Sequence, residues 1–138
     1  MDTASPARIF PTAQTYAPAL NVDLARMTRA ENGLHVEDLR EGEGPAAEAG
    51  QVVVVHYTGW LADGTRFDSS RDGDDPFPVR IGTGEVIDGW DLGIPGMRVG
   101  GERRLVIPPS LGYGNAGAGG VIPPGATLIF DVELLEIR

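Results

Sequence analysis

Residues 112–117, Gly-Tyr-Gly-Asn-Ala-Gly, spell GxGxxG, the spacing with which a loop can hold a pyrophosphate at the N-terminus of a helix. That chemistry needs a helix directly after the loop. The residues that follow are Ala118-Gly-Gly-Val-Ile-Pro-Pro-Gly125, and prolines 123 and 124, with glycine close on either side, forbid one. The match is accidental. Nucleophilic templates also fail. Ser69, Ser70 and Ser110 lie outside any GxSxG elbow. A triad through His56 meets an obstacle: it alternates with Tyr57 along an extended run, so the two side chains face opposite ways. His56 reads more simply as a surface or hydrogen-bonded sheet residue. Asp72, Asp74 and Asp75 resemble a calcium loop only loosely, without flanking helices or a glutamate at the twelfth position, and read as a solvated loop. The chain has no cysteine, and all 11 basic residues are arginine. Thiol catalysis, disulfides, Schiff-base lysines and the phosphate-binding lysine of a nucleotide loop are therefore excluded. With two histidines, a histidine-based metal site is not expected.

What remains is apolar. Tyr57, Phe67, Phe77, Val86, Ile87, Trp90, Tyr113, Val121, Ile122 and Phe130 include most of the aromatic residues. They could simply be core. Two features point instead to a pocket open to water. Asp68 follows Phe67 and places a charge beside the aromatics. Tyr113, Val121 and Ile122 flank a loop too rich in glycine to be interior. An apolar hollow with few polar groups at its rim is a binding-site pattern.

The elements that must position these residues follow from periodicity. Residues 51–58, Gln-Val-Val-Val-Val-His-Tyr-Thr, are β-branched and aromatic and form the strongest strand. Asp63-Gly64 is a tight turn, and Thr65–Asp68 returns as a second strand. Phe77–Ile81 is a short extended run. Trp90, Ile94 and Met97 are spaced for one helical face within 88–97, with Pro95-Gly96 ending the helix. Arg103–Ile107 and Thr127–Arg138 are further strands. In the last, Leu128, Phe130, Val132 and Leu134 share a buried face, and Asp131 and Glu133 are expected on a wet one. From Gly33, Leu34 and Val36 alternate with polar residues. Upstream, Val22–Arg29 predicts a short helical turn capped by Asn21 or Asp23, and residues 1–20, with three prolines, read as a weakly ordered or packed-on tail. The sum is an α+β domain, an antiparallel sheet with one short helix against its apolar face.

At 138 residues one domain with a short appendage is expected. Twenty acidic residues against 11 basic ones give a net charge of −9, which repels nucleic acid. No apolar run approaches the ~20 residues that cross a bilayer, and the N-terminus does not read as a signal peptide. The expectation is a cytoplasmic protein without a membrane segment.

VHYTGWLADGTRFDSSRD at 55–72, Pro76-Phe77, GEVIDGW at 84–90, Tyr113-Gly114 and VIPPGATLIFDVELL at 121–135 resemble, in order, the motifs of the FKBP family of peptidyl-prolyl cis/trans isomerases. The resemblance covers about three quarters of the chain, from about Gly33. It implies a half-barrel-like antiparallel sheet wrapped around one short helix, over 31–138, with 1–30 as an N-terminal extension. It implies an isomerase that rotates X-Pro bonds of polypeptides and assists folding, with no cofactor and no metal. Macrolides such as tacrolimus or rapamycin would be inhibitors, and the protein would be a monomer; the alternative is a non-catalytic module binding proline peptides or macrolides. Carried over residue by residue, Trp90 is the floor, and Tyr57, Phe67 and Phe130 are walls with Phe77, Val86 and Ile87 alongside. Tyr113, Val121 and Ile122 close the rim. The Ile87 N–H and the Tyr113 hydroxyl would each donate to a substrate carbonyl. Asp68 would shape the field around the twisting carbonyl or hold Tyr57 in place. Two departures stand out: Gly73 replaces a basic residue found in some relatives, leaving Asp68 without an ionic partner unless an arginine substitutes, and Ala118 is small at the loop tip.

Overall fold

A computed structural model describes residues 15–73 and 75–138 of the chain. Its strands are β1 (Thr28–Arg29), β2 (His35–Arg40), β3 (Val52–Leu61), β4 (Arg66–Ser69), β5 (Phe77–Arg80), β6 (Glu102–Ile107) and β7 (Leu128–Ile137), with one α-helix, α1 (Asp88–Gly93), between β5 and β6. All pairings are antiparallel, in the order β1-β2-β6-β7-β3-β4, and β5 pairs with β3. The valine run makes β3 the organising strand. One of its edges carries β7 from Val53 to Leu61. The other is shared, with β5 along Val52–Val55 and β4 along Thr58–Trp60.

Alternation along the strands decides the faces. Val53, Val55, Leu105, Ile107, Leu128, Phe130, Val132 and Leu134 pack with Trp90, Ile94 and Met97 into the main core. The helix is shorter than its apolar spacing suggests. It stops at Gly93, Pro95 and Gly96 follow, and Gly96 has φ +95°. Met97 reaches the core from beyond the helix end. Two helical glycines each cost about 1 kcal/mol of helix propensity, but they allow close approach to the sheet. A Cβ on Gly89 would lie 2.6 Å from Ile107, and one on Gly93 would lie 2.7 Å from Leu105.

The opposite face corrects two expectations. The predicted helical turn over Val22–Arg29 is a 3₁₀ turn at Leu24–Arg26 only; Asp23 caps it by accepting from the Ala25 N–H at 3.1 Å, and Thr28–Arg29 then pairs with β2. Nor is the second face of β7 wet at its centre. Leu20 and Met27 cover Val106 and Ile129, with Tyr16 and Trp60 packed around them. Asp131 is held there by Arg104 at 2.7 and 3.0 Å, and Arg104 also donates to the Leu20 carbonyl. Glu133, further along, accepts from Arg71 at 2.7 Å and Arg40 at 3.1 Å. Both carboxylates are paired with arginines, an arrangement set by residues remote in sequence. Most of the predicted tail, residues 1–14, lies outside the described residues.

Candidate active site

The end of the sheet nearest α1 holds a hollow of about 470 Å³. Trp90, 3 % exposed, lines it from the helix. Tyr57 comes from β3, Phe67 and Asp68 from β4, Phe77 from β5, Phe130 from β7, and Val86 and Ile87 from the segment entering α1. Tyr113 stands at the rim, exposed, at the start of the glycine loop.

The rings brace one another edge to face. Trp90 meets Tyr57 at 5.1 Å and 78°, and Phe130 at 5.4 Å and 84°; Phe67 meets Phe130 at 5.5 Å and 89°. Such pairs contribute roughly 0.5–1.5 kcal/mol each beyond the area they bury, and they hold the walls rigid. Gly59 makes the Phe67–Phe130 contact possible, because a Cβ there would sit 2.7 Å from each ring. The entry to α1 is tied down by Asp91, whose carboxylate accepts from the N–H groups of Gly82 at 2.7 Å and Gly84 at 2.9 Å.

Polar groups are few and placed at the edge. The Tyr57 hydroxyl donates to Asp68 Oδ2 at 2.7 Å. Burial, then the Asp68 hydrogen bond and the negative charge behind it, raise the Tyr57 phenol above the ordinary tyrosine range. Tyr57 therefore stays protonated and donating at neutral pH. Among the described residues Asp68 makes no ion pair. Arg71, the arginine nearest in sequence after it, is engaged by Glu133 instead. The Ile87 N–H and the Tyr113 hydroxyl make no hydrogen bond among the described residues, so two donors at the rim are free. The buried Trp90 indole N–H also lacks an acceptor there.

The glycine loop departs in part from expectation. Val121 is exposed and Ile122 is buried in the main core, and neither lines the hollow. The loop folds back on itself through Gly125 N–H to Gly114 O at 2.8 Å and Ala118 N–H to Ile122 O at 2.9 Å. That reversal turns the Ile122 side chain inward. Gly117, at φ +65°, is required: a Cβ there would come within 2.2 Å of the Ile122 carbonyl oxygen. No helix follows the loop, so the GxGxxG match has no phosphate-binding geometry. Glu85 lines the hollow unforeseen; its place two residues before Ile87 in GEVIDGW was the available signal.

The other candidates resolve into structure. His56 is buried with Nδ1 2.8 Å from Ser70 Oγ. Asp72 pairs with Arg66 at 2.7 Å, and Asp74 lies outside the described residues. Among the described residues no three potential metal ligands cluster. The hollow can bind and orient an apolar group with an adjacent carbonyl. Its lining holds no serine, cysteine, lysine or histidine to attack it.

Comparison with known proteins agrees with this fold. Residues 44–135 match the family model of the FKBP-type peptidyl-prolyl cis-trans isomerase. The chain is 58% identical over 105 residues to a protein named FK506-binding protein from Neisseria meningitidis serogroup B, covering 76% of this chain and 96% of that one. FK506-binding protein 1 of Dictyostelium discoideum is 48% identical over 106 residues, covering 77% and 99%. Among solved structures, AtFKBP13 superposes with a TM-score of 0.76 at 44% identity, over 81% of this chain and 98% of that chain. FkpA from Escherichia coli gives 0.75 at 42%, over 82% and 52%.

Proposed function

Since this chain belongs to the FKBP-type peptidyl-prolyl cis-trans isomerase family, and so speeds rotation about X-Pro bonds, we propose that the aromatic hollow is where the bond turns. The supporting observation is an aromatic-walled hollow whose rim offers the free Ile87 N–H and Tyr113 hydroxyl and whose lining holds no serine, cysteine, lysine or histidine.

Rotation breaks no bond to a ligand. It opposes a barrier of ~18–20 kcal/mol that arises from delocalisation of the nitrogen lone pair into the carbonyl, and unaided it takes tens to hundreds of seconds. The planar amide is the more dipolar form. With the prolyl ring over Trp90 and walled by Tyr57, Phe67 and Phe130, the amide leaves water for an apolar surround. The planar state loses more solvation than the twisted one. Lowering the barrier by ~5–6 kcal/mol gives about 10⁴-fold acceleration.

The Ile87 N–H and the Tyr113 hydroxyl anchor substrate carbonyls on either side of the turning bond, which fixes one end while the other rotates. Tyr57 and Asp68 form the polar edge. The carboxylate, held by a phenol instead of an arginine, keeps its field directed at the carbonyl that swings past it. Substrates are proline-containing segments of unfolded or flexible polypeptides, with an apolar residue favoured before the proline at an apolar mouth. The same hollow accepts tacrolimus or rapamycin as competitors, in keeping with the names of the relatives. In this reading the protein acts as a monomer, in the cytoplasm, on folding chains.

The test is an isomerisation assay on a short X-Pro peptide, with and without rapamycin. Multiple-turnover acceleration abolished by the macrolide is expected. Peptide binding with an unchanged isomerisation rate would overturn the reading.

A further inference from the structure

We infer that Ser70 is a positioning residue for the isomerase reaction, fixing the main chain of Tyr57 and through it the Tyr57–Asp68 pair at the rim of the hollow. The inference rests on the reading of that hollow as the reaction site.

Asp68 is the third residue of β4, a four-residue strand at the edge of the sheet that pairs with β3 alone. The ladder ends where Ser69 faces Thr58. A strand that continued would offer Tyr57 both a donor and an acceptor from residue 70. Here the chain turns away after Ser70, and one residue supplies both partners in a different way. The Ser70 N–H donates to the Tyr57 carbonyl at 3.0 Å. The Tyr57 N–H donates to Ser70 Oγ at 2.8 Å. The hydroxyl thus stands in for the main-chain carbonyl of a longer strand. It is itself held by His56 Nδ1 at 2.8 Å, and His56 is buried. On the far side of the turn Arg71 is anchored to Glu133 at 2.7 Å, and Glu133 lies opposite His56 in the β3–β7 register.

Removing the hydroxyl leaves the Tyr57 N–H without its acceptor in a part-buried place. The Tyr57 backbone can then shift relative to β4. A shift of a few tenths of an ångström at the backbone is carried to the end of the phenol, where a 2.7 Å hydrogen bond to Asp68 is sensitive to it. Thr58 provides a comparison at the same strand end: its Oγ1 meets Ser69 Oγ at 3.0 Å, and it is Ser69 Oγ, not Thr58, that donates to the Tyr57 carbonyl, at 3.1 Å.

The experiment compares full-length Ser70→Ala, Ser70→Thr, Thr58→Val and Tyr57→Phe with the parent. Exchange NMR on a short X-Pro peptide separates kcat from KM, and the alkaline titration of ring-labelled Tyr57 is followed in parallel. Ser70→Ala is expected to lose about 5–10-fold in kcat with KM within about twofold, and its Tyr57 phenol is expected to titrate at lower pH than in the parent. Ser70→Thr returns kcat to within about twofold and Thr58→Val stays there. Ser70→Cys, which keeps the volume and weakens the hydrogen bonds, is carried alongside with the same expectation as alanine, so that a misfolded alanine variant does not end the comparison. A folded Ser70→Ala protein with parental kcat and phenol titration overturns the inference, as does an equal loss in Thr58→Val. Loss in Tyr57→Phe without loss in Ser70→Ala overturns the role of Ser70 alone. No loss in Tyr57→Phe overturns the assignment of Tyr57 as well.

Discussion

Tyr57 and Asp68 show how little polar chemistry this reaction asks for. The pair is a single 2.7 Å hydrogen bond at the edge of an aromatic cage. Replacing Asp68 by Ala is expected to lower kcat/KM about 3–10-fold, since a field and an orienting bond are lost but the cage remains; steady-state kinetics on an X-Pro peptide check it. Titration supplies a second test. The folded state holds the Tyr57 proton more tightly than the unfolded chain does. Its contribution to stability is therefore complete below the ordinary tyrosine value of about 10 and declines as pH rises through the folded-state value. Denaturant melts above pH about 10 should show a steeper loss in the parent than in Tyr57→Phe. Glu133 has the opposite sign. The Arg71 hydrogen bond, opposed by burial and aided by the charges of Arg71, Arg40 and His56, lowers its carboxyl. That stability is present above the ordinary glutamate value and lost as pH falls below it, so Glu133→Gln should flatten the acid limb of the melt. The effect is small, under about 1 kcal/mol, because both arginines are half exposed.

Elements set where these residues point, and here the legibility of the sequence varied with the range of the forces involved. The valine-rich run, the alternation in residues 128–134 and the spacing of Trp90, Ile94 and Met97 are local signals, and each located its strand or helix. Val121 and Ile122 were harder. Both looked suited to the rim, but a reversal closed by the Gly125–Gly114 and Ala118–Ile122 hydrogen bonds buries one and exposes the other. No periodicity in a loop of five glycines foretells that. The loop's shape depends on Gly117, where φ is +65° and a Cβ would strike the Ile122 carbonyl. Gly117→Ala is expected to cost ~1–3 kcal/mol and to raise KM for peptide by misplacing Tyr113, measurable by thermal melts and kinetics on the same sample. The Ser70 contacts were equally hidden, since a serine at a strand end announces a turn but not its partners.

At the scale of the whole molecule the sheet has two differently used faces. The inner one builds the hollow, and the outer one is covered at its centre by Leu20 and Met27 from the N-terminal segment. An amphipathic strand such as β7 implies a wet side, and only the fold reveals that a segment about 100 residues upstream covers it. Deleting residues 1–30 is expected to destabilise the protein by ~3–6 kcal/mol through loss of those two side chains alone, while activity on a short peptide at low temperature stays within about twofold because the inner face is untouched. Calorimetry together with the peptide assay separates the two effects.

In the proposed mechanism an apolar enclosure lowers the rotational barrier with no proton transferred and no covalent bond formed. The pH dependence of kcat/KM on an X-Pro peptide, run in H₂O and D₂O, addresses it most directly. The acceleration is expected to be level from about pH 6 to 9, with a solvent isotope effect close to one. A bell-shaped profile in that range, or a rate that falls severalfold in D₂O, would contradict it.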